Sequence, residues 1–125
     1  MFNVSDIEIT NNRIYKEHKG KLGFLESNID LPFNIERIFF INDVPTDTLR
    51  GDHAHKLMSE YLITLNGKIN VFCNDGENEK SFILDSSDIG LLIPPTIWTK
   101  QIYLEPNTNL IAISDRKYEE DDYIR

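Results

Sequence analysis

A chain of 125 residues, with 40% hydrophobic and 27% charged residues, has the size and composition of one globular domain with its own core. Its formal net charge of −8 argues against general nucleic-acid binding, which depends on neutralising phosphates. No apolar run approaches the roughly 20 residues needed to span a bilayer, and the first residues lack a secretory signal. We expect the single cysteine, Cys73, to be a packed, unreactive thiol, and these features together predict a cytoplasmic protein.

The sequence predicts short strands separated by turns along its length. The segments with strand-like alternation, or rich in β-branched and aromatic residues, are 7–9, 19–26, 37–42, 60–65, 68–72, 80–84, 90–93, 100–104 and 109–114. The Asn66-Gly67 pair between two apolar runs predicts a β-hairpin, and Asn74–Asn78 predicts a second turn. Long helical periodicity, linkers and repeats are absent. Evenly spaced short strands favour a single all-β barrel or sandwich spanning residues 1–125.

Two kinds of residue are expected to have only structural roles. Gly51, Gly67 and Gly90 are predicted to lie in turns or bulges. The acidic run Glu119–Asp122 is predicted to be a solvated end of the chain, because charge runs usually face water.

The most informative feature is the pair His53 and His55, two of the three histidines in the chain. Alternate residues of a strand point to the same face, so both imidazoles are expected to enter one space. Imidazole has an ordinary pKa close to neutrality, which suits it to proton transfer or to metal binding. The pair therefore marks the candidate functional site.

The spacing from the histidines to Glu60 and Gly67 resembles the first motif of the cupin superfamily, which consists of small jelly-roll barrels. In metal-binding cupins the two histidines and the glutamate bind a divalent metal, and a further histidine comes from a second motif. Here Thr99 stands about where that histidine would be expected. A metal site made of His53, His55 and Glu60 is one alternative, and a metal-free proton-transfer site is favoured. Glu60 is then a polar residue in the substrate pocket or a partner that orients an imidazole.

A narrower resemblance is carried by five blocks of sequence in order. They are Arg37–Ile41, Arg50–Lys56, Leu65–Gly67, Leu91–Pro95 with Trp98, and Tyr118–Arg125. These blocks resemble the nucleotide-sugar 3,4-ketoisomerases of the FdtA/QdtA, or WxcM-like, group. The resemblance covers the chain from about Lys19 to the last residue.

The resemblance implies a cupin-type jelly-roll barrel and a cytoplasmic homodimer. It also implies that a carbonyl moves from C4 to C3 of a dTDP-linked 4-keto-6-deoxyhexose, without metal or redox cofactor, in the synthesis of deoxyamino sugars for bacterial surface glycans. In this reaction one imidazole works at carbon and the other at oxygen. Our hypothesis is that His55 is the carbon base and His53 moves the oxygen protons, with the reverse assignment left open.

Several residues are candidates for substrate binding. Arg50 and Arg37 could bind the diphosphate, and Lys21 could face the sugar. Trp98 could close the pocket or stack on a ring. Many relatives carry His or Arg where this chain has Thr99, and that position is thought to influence the configuration at C4. The galacto or gluco outcome is therefore left open.

Two other functions are kept as alternatives. Thr99 and Phe40, which replaces a frequent tyrosine, are compatible with a binding module that holds a nucleotide sugar without converting it. A metal-dependent cupin enzyme is the less favoured alternative.

Overall fold

The computed structural model describes residues 1–125 as two antiparallel five-stranded sheets and a separate two-stranded hairpin. Two short 3-10 helices, Val4–Asp6 and Glu120–Asp122, are the only helical elements, and neither is long and apolar enough to cross a membrane. The strands are β1 (Glu8–Asn11), β2 (Arg13–Glu17), β3 (Gly20–Phe24), β4 (Arg37–Ile41), β5 (Leu49–His55), β6 (Glu60–Asn66), β7 (Ile69–Asn74), β8 (Glu79–Leu84), β9 (Ile89–Ile93), β10 (Trp98–Tyr103), β11 (Asn109–Ser114) and β12 (Tyr123–Ile124).

The connections between strands give the fold its jelly-roll form. The first sheet has the order β1-β9-β6-β11-β4, and the second has the order β12-β5-β10-β7-β8. From β4 to β11 the chain passes to the opposite sheet at every connection except the hairpin between β7 and β8. The predicted all-β, cupin-type jelly-roll barrel is therefore confirmed.

The space between the sheets is apolar over most of its length and polar at one end. Along β7, Ile69, Val71 and Cys73 are buried while their neighbours are partly exposed, as expected for a strand with one inward face. They belong to a cluster of 14 buried side chains contributed by both sheets. Burial of each large aliphatic side chain stabilises the fold by about 1.5–3 kcal/mol. The polar end, described below, carries the candidate site.

The outer face of the first sheet has a smaller core of its own. Leu31 lies in the connection between β3 and β4 and packs with Tyr61, Ile63 and Ile113 on the outside of that sheet. Strand β6 is therefore buried on both faces over its first five residues. This explains why its sequence is almost continuously apolar rather than alternating.

The predicted hairpin at Asn66-Gly67 is wrong. Strand β6 pairs with β9 and β11 in one sheet, whereas β7 pairs with β8 and β10 in the other. The turn is real, because Gly67 has a φ of +89°, but it forms a corner that carries the chain between sheets. The corner packs against Thr108, whose hydroxyl oxygen accepts a hydrogen bond from the Lys68 amide at 3.1 Å.

Gly90 also departs from its predicted place, since it lies within strand β9 rather than in a turn or bulge. The ring of Tyr61 lies directly over it, and a Cβ atom at position 90 would lie 2.1 Å from the ring. The Tyr61 hydroxyl in turn donates to the Asn12 side-chain oxygen at 2.6 Å. Glycine is thus needed here for space, so that the aromatic ring can cross the strand.

We expect Gly90→Ala to destabilise the protein by about 3 kcal/mol, because the added methyl group overpacks the site and displaces Tyr61. Urea denaturation monitored by tyrosine and tryptophan fluorescence measures this loss. Gly23→Ala is the matched control, since the close contact of its added carbon would be with the flexible end of Ile14, which can move aside. Equal stability of the two variants would contradict the steric role of Gly90.

Candidate active site

A β-bulge in β5 sets the direction of the site residues. Gly51 and Asp52 both have positive φ values, +84° and +64°, and Asp52 has no partner in the pairing of β5 with β10. The extra residue shifts the alternation of the strand. As a result Arg50, which lies opposite the inward-facing Gln101, shares a face with His53 although the two are three positions apart.

Trp98 secures this bulge from the outer face of β10. Its indole N–H donates a hydrogen bond to the Asp52 carboxylate at 2.8 Å. The next residue, Thr99, is buried, faces the barrel interior and lies opposite His53. The structure therefore places Thr99 beside the histidine pair and the Trp98 ring on the opposite side of the strand.

The two imidazoles share one space with a tyrosine ring. The ring centroids of His53 and His55 are 5.0 Å apart, in an edge-to-face arrangement. The ring of Tyr123 lies 4.9 Å from His53 and 4.4 Å from His55, because β12 pairs with β5 and sets Tyr123 opposite His55. Sequence reasoning did not single out Tyr123; the signal available was its position in the C-terminal block that resembles the ketoisomerases.

Asp122 corrects the prediction that the acidic run is a solvated end, since this residue is buried. One of its carboxylate oxygens, Oδ2, lies 3.3 Å from Nδ1 of His55. The same carboxylate accepts hydrogen bonds from the backbone N–H groups of Leu57 at 2.8 Å and Met58 at 3.3 Å. The backbone carbonyl oxygen of Asp122 accepts a further hydrogen bond from the Lys56 amide at 2.8 Å. The C-terminal segment is thus anchored directly behind the histidine strand.

The burial of both histidines favours their neutral form. Burial, together with the neighbouring His53, lowers the pKa of His55 to about 4, although the Asp122 carboxylate opposes the shift. Burial is also the main reason that the pKa of His53 lies below its ordinary value. A neutral imidazole has a free nitrogen lone pair, so each ring can act as a base near neutral pH.

The first sheet contributes an acid and a cation to the same end of the barrel. Glu60 is buried, and burial raises its pKa to about 7, with the positive charge of Arg37 opposing the rise. The guanidinium carbon of Arg37 lies 4.5 Å from the ring centroid of Phe39 and 5.2 Å from that of Tyr118. Arg37 forms no salt bridge, so its charge is free to meet an anion.

Burial raises the pKa of the Cys73 thiol to about 12, in keeping with a packed, unreactive cysteine.

The remaining predicted residues, Arg50 and Lys21, lie on strands β5 and β3. Arg50 is exposed. Burial raises the pKa of the Tyr103 hydroxyl to about 12, and the nearby positive charge of Arg50 opposes this rise. Lys21 lies on the β2–β3 hairpin, where its ammonium group donates to Asp88 at 2.7 Å. Lys21 is therefore engaged in an ion pair and lies outside the cluster that contains the histidines.

The donor set for a metal is incomplete in this arrangement. Glu60 does not join His53 and His55 in a cluster, and no group of three or more His, Cys, Asp or Glu side chains is placed to hold a metal ion. The arrangement offers two imidazoles, a protonatable carboxyl group and a guanidinium without a salt bridge at the polar end of the barrel. The fold and the site thus define a jelly-roll barrel equipped for acid–base chemistry.

Comparison with known proteins gives the family. The family described as "FdtA: WxcM-like, C-terminal" matches residues 5–125, and the chain belongs to it. A TDP-4-oxo-6-deoxy-alpha-D-glucose-3,4-oxoisomerase from Aneurinibacillus thermoaerophilus is 33% identical over 109 residues, which cover 87% of this chain and 78% of the relative.

Solved structures agree with this assignment. A 3,4-ketoisomerase from Helicobacter canadensis is 36% identical, with a TM-score of 0.92 over 96% of this chain and 90% of that one. The 3,4-ketoisomerase QdtA from Thermoanaerobacterium thermosaccharolyticum is 30% identical, with a TM-score of 0.94 over 98% of this chain and 88% of that one. The QdtA structure is of a histidine-to-asparagine mutant in complex with TDP-4-keto-6-deoxyglucose.

Proposed function

We propose that this protein converts a dTDP-linked 4-keto-6-deoxyhexose into its 3-keto isomer. The observation that carries the proposal is the pair of imidazoles, His53 and His55, whose ring centroids are 5.0 Å apart at the polar end of the barrel. Burial lowers the pKa of both rings, which favours their neutral, basic form. Membership of the FdtA family supports the same conclusion, because its relatives include proteins named as 3,4-ketoisomerases.

The reaction requires only the movement of protons. In the first half, a base removes the proton from C3, the electron pair forms the C3–C4 double bond of an enediol, and the former carbonyl oxygen on C4 takes a proton. In the second half, the hydroxyl on C3 loses its proton, a carbonyl forms at C3, and C4 is protonated. We assign His55 as the carbon base and His53 as the group that moves protons between the oxygens. The rim position of His53, which is less buried than His55, supports this division.

The anionic part of the substrate needs positive charge. We propose that Arg37 and Arg50 attract the diphosphate, since neither forms a salt bridge within the chain. Arg50 lies on β5, the strand that carries the histidines, and Arg37 lies on β4 of the opposite sheet. Thr99, beside His53, is proposed to contact the sugar near C4. Tyr123 forms the wall behind both imidazoles.

We also propose a cytoplasmic homodimer. The outer face of the first sheet exposes Ile38, Phe40 and Leu65, with accessible fractions of 60%, 73% and 54%. Exposed apolar side chains gathered on one face are typical of interaction surfaces, and a second copy would cover them. Light scattering after gel filtration tests this state against the chain mass of 14.6 kDa. The free, buried thiol of Cys73 supports a reducing compartment.

Proton NMR of TDP-4-keto-6-deoxyglucose incubated with the protein in D₂O tests the activity. We expect signals of a 3-keto product that carries deuterium at C4. The same incubation in H₂O leaves a proton at C4, and its coupling to the proton at C5 distinguishes galacto from gluco. Saturable binding of the sugar nucleotide without exchange or product would favour the binding-module alternative. Loss of turnover on treatment with a chelator, with recovery on addition of a divalent metal, would favour the metal-dependent alternative.

A further inference from the structure

We propose that Asp122 is a positioning residue for His55, which it holds in the tautomer with the proton on Nδ1, so that Nε2 is free to act as a base. The proposal rests on the function given above and adds a residue to its machinery. Its basis is the distance of 3.3 Å between the Asp122 Oδ2 atom and the His55 Nδ1 atom, both of which belong to buried side chains.

The environment of Nδ1 decides between the two tautomers. This atom is shut off from solvent and forms no well-aligned hydrogen bond with any group, so the Asp122 carboxylate at 3.3 Å is the polar contact that acts on it. A lone pair on Nδ1 would face the lone pairs of the carboxylate and be repelled. A proton on Nδ1 faces the same oxygen favourably, although the contact has the distance of an ion pair rather than the alignment of a full hydrogen bond. The Nδ1–H tautomer is therefore the one that the surroundings stabilise.

The carboxylate is fixed independently of the histidine. The backbone N–H groups of Leu57 and Met58 donate to Oδ1 and Oδ2 at 2.8 and 3.3 Å, and the Lys56 amide donates to the Asp122 carbonyl oxygen. All three donors directly follow His55 in the chain. Asp122 is thus tied to the same stretch of backbone that carries the imidazole, which keeps the two groups in register.

The position of the carboxylate also suits the reaction. When His55 accepts the proton from carbon, the ring becomes an imidazolium ion in a buried site that otherwise disfavours positive charge. A carboxylate at 3.3 Å stabilises that ion, while His53 and Arg37 oppose it. Asp122 would therefore act in two ways, by setting the tautomer before proton transfer and by stabilising the ring after it.

Asp122→Asn tests the proposal. The short bond from the Leu57 amide keeps the amide oxygen of Asn at the Oδ1 position, so the NH₂ group takes the Oδ2 position and faces Nδ1. This orientation gives up the longer bond from the Met58 amide, at 3.3 Å. A donor at that place favours a lone pair on Nδ1 and moves the proton to Nε2. We expect kcat to fall about 10²–10³-fold with KM changed less than about 3-fold. The ¹⁵N shifts of the His55 ring nitrogens should exchange their protonated and unprotonated values.

Asp121→Asn is the matched control, because it removes the same charge from an exposed neighbour. It should leave kcat and the ¹⁵N shifts unchanged. A wild-type ¹⁵N spectrum with Nδ1 unprotonated would overturn the proposal even if the Asp122 variant failed to fold. Full activity of a folded Asp122→Asn protein would also overturn it. An inactive wild-type protein that has Nδ1 protonated would instead refute the proposed function and support the tautomer.

Discussion

Replacement of His55 by Asn is expected to lower kcat for isomerisation by about 10²–10⁴-fold, the usual contribution of a general base. Asparagine keeps a short polar group that can still face Asp122, but it has no nitrogen that can accept a proton. The loss should therefore lie in turnover, while saturable binding of the TDP-sugar persists. His53→Asn is expected to lower turnover within the same range, because the enediol still needs its oxygen protons moved.

The exchange of hydrogen for deuterium distinguishes the two roles. If His55 is the carbon base, His55→Asn abolishes the incorporation of deuterium at C3 of the substrate in D₂O. His53→Asn should then retain exchange at C3 while forming little 3-keto product. The opposite pattern would reverse the assignment of the two imidazoles. His18→Asn is the control, because this exposed histidine lies in the turn between β2 and β3. Wild-type turnover in both site variants would refute the mechanism.

The histidine pair could be predicted because its signal is local. Two residues at alternate positions of a strand share a face whatever the rest of the fold does, and the structure places both rings in one space. Burial on both faces, in contrast, depends on distant segments. One face of strand β6 packs against the connection between β3 and β4, and its other face packs against the second sheet.

The hairpin error has the same physical origin. Asn66-Gly67 reports a local reversal of the backbone, and that reversal is present. It does not report which strand supplies the hydrogen-bonding partner. In this barrel β6 is a central strand that pairs with β9 and β11, so the reversal carries the chain to the other sheet instead of closing a hairpin. Only knowledge of the whole strand order would have shown this.

Asp122 and Tyr123 were missed for another reason. A run of four acidic residues is normally solvated, and a two-residue strand is too short to show a period. Their burial follows from a pairing that joins Tyr123 to His55 across nearly 70 positions of sequence. The resemblance of the C-terminal block to a family motif indicated that this block matters for function. Its acidic composition, in contrast, predicted a solvated end of the chain.

Glu60→Gln is expected to make the protein more stable at alkaline pH. Burial raises the pKa of the Glu60 carboxyl group from 4.5 to about 7 in the folded state. Between these values the folded form holds a proton that the unfolded form has lost, so wild-type stability falls as the pH rises from about 4.5 to about 7 and then levels off. Glutamine does not titrate. The difference in the free energy of unfolding, variant minus wild type, should therefore increase by about 2–3 kcal/mol when the pH is raised from about 5 to about 8.5.

Urea denaturation of both proteins across this range measures the difference, and Glu77→Gln serves as the control, since that carboxylate is exposed in the β7–β8 turn. Because the test compares pH values within each pair of proteins, any constant effect of the amide on packing cancels. If the difference in the free energy of unfolding between variant and wild type does not change with pH, Glu60 has the same pKa in the folded and the unfolded chain. If the stabilised variant also loses turnover, the buried carboxyl group is retained for the reaction at a cost in stability, as is common at functional sites.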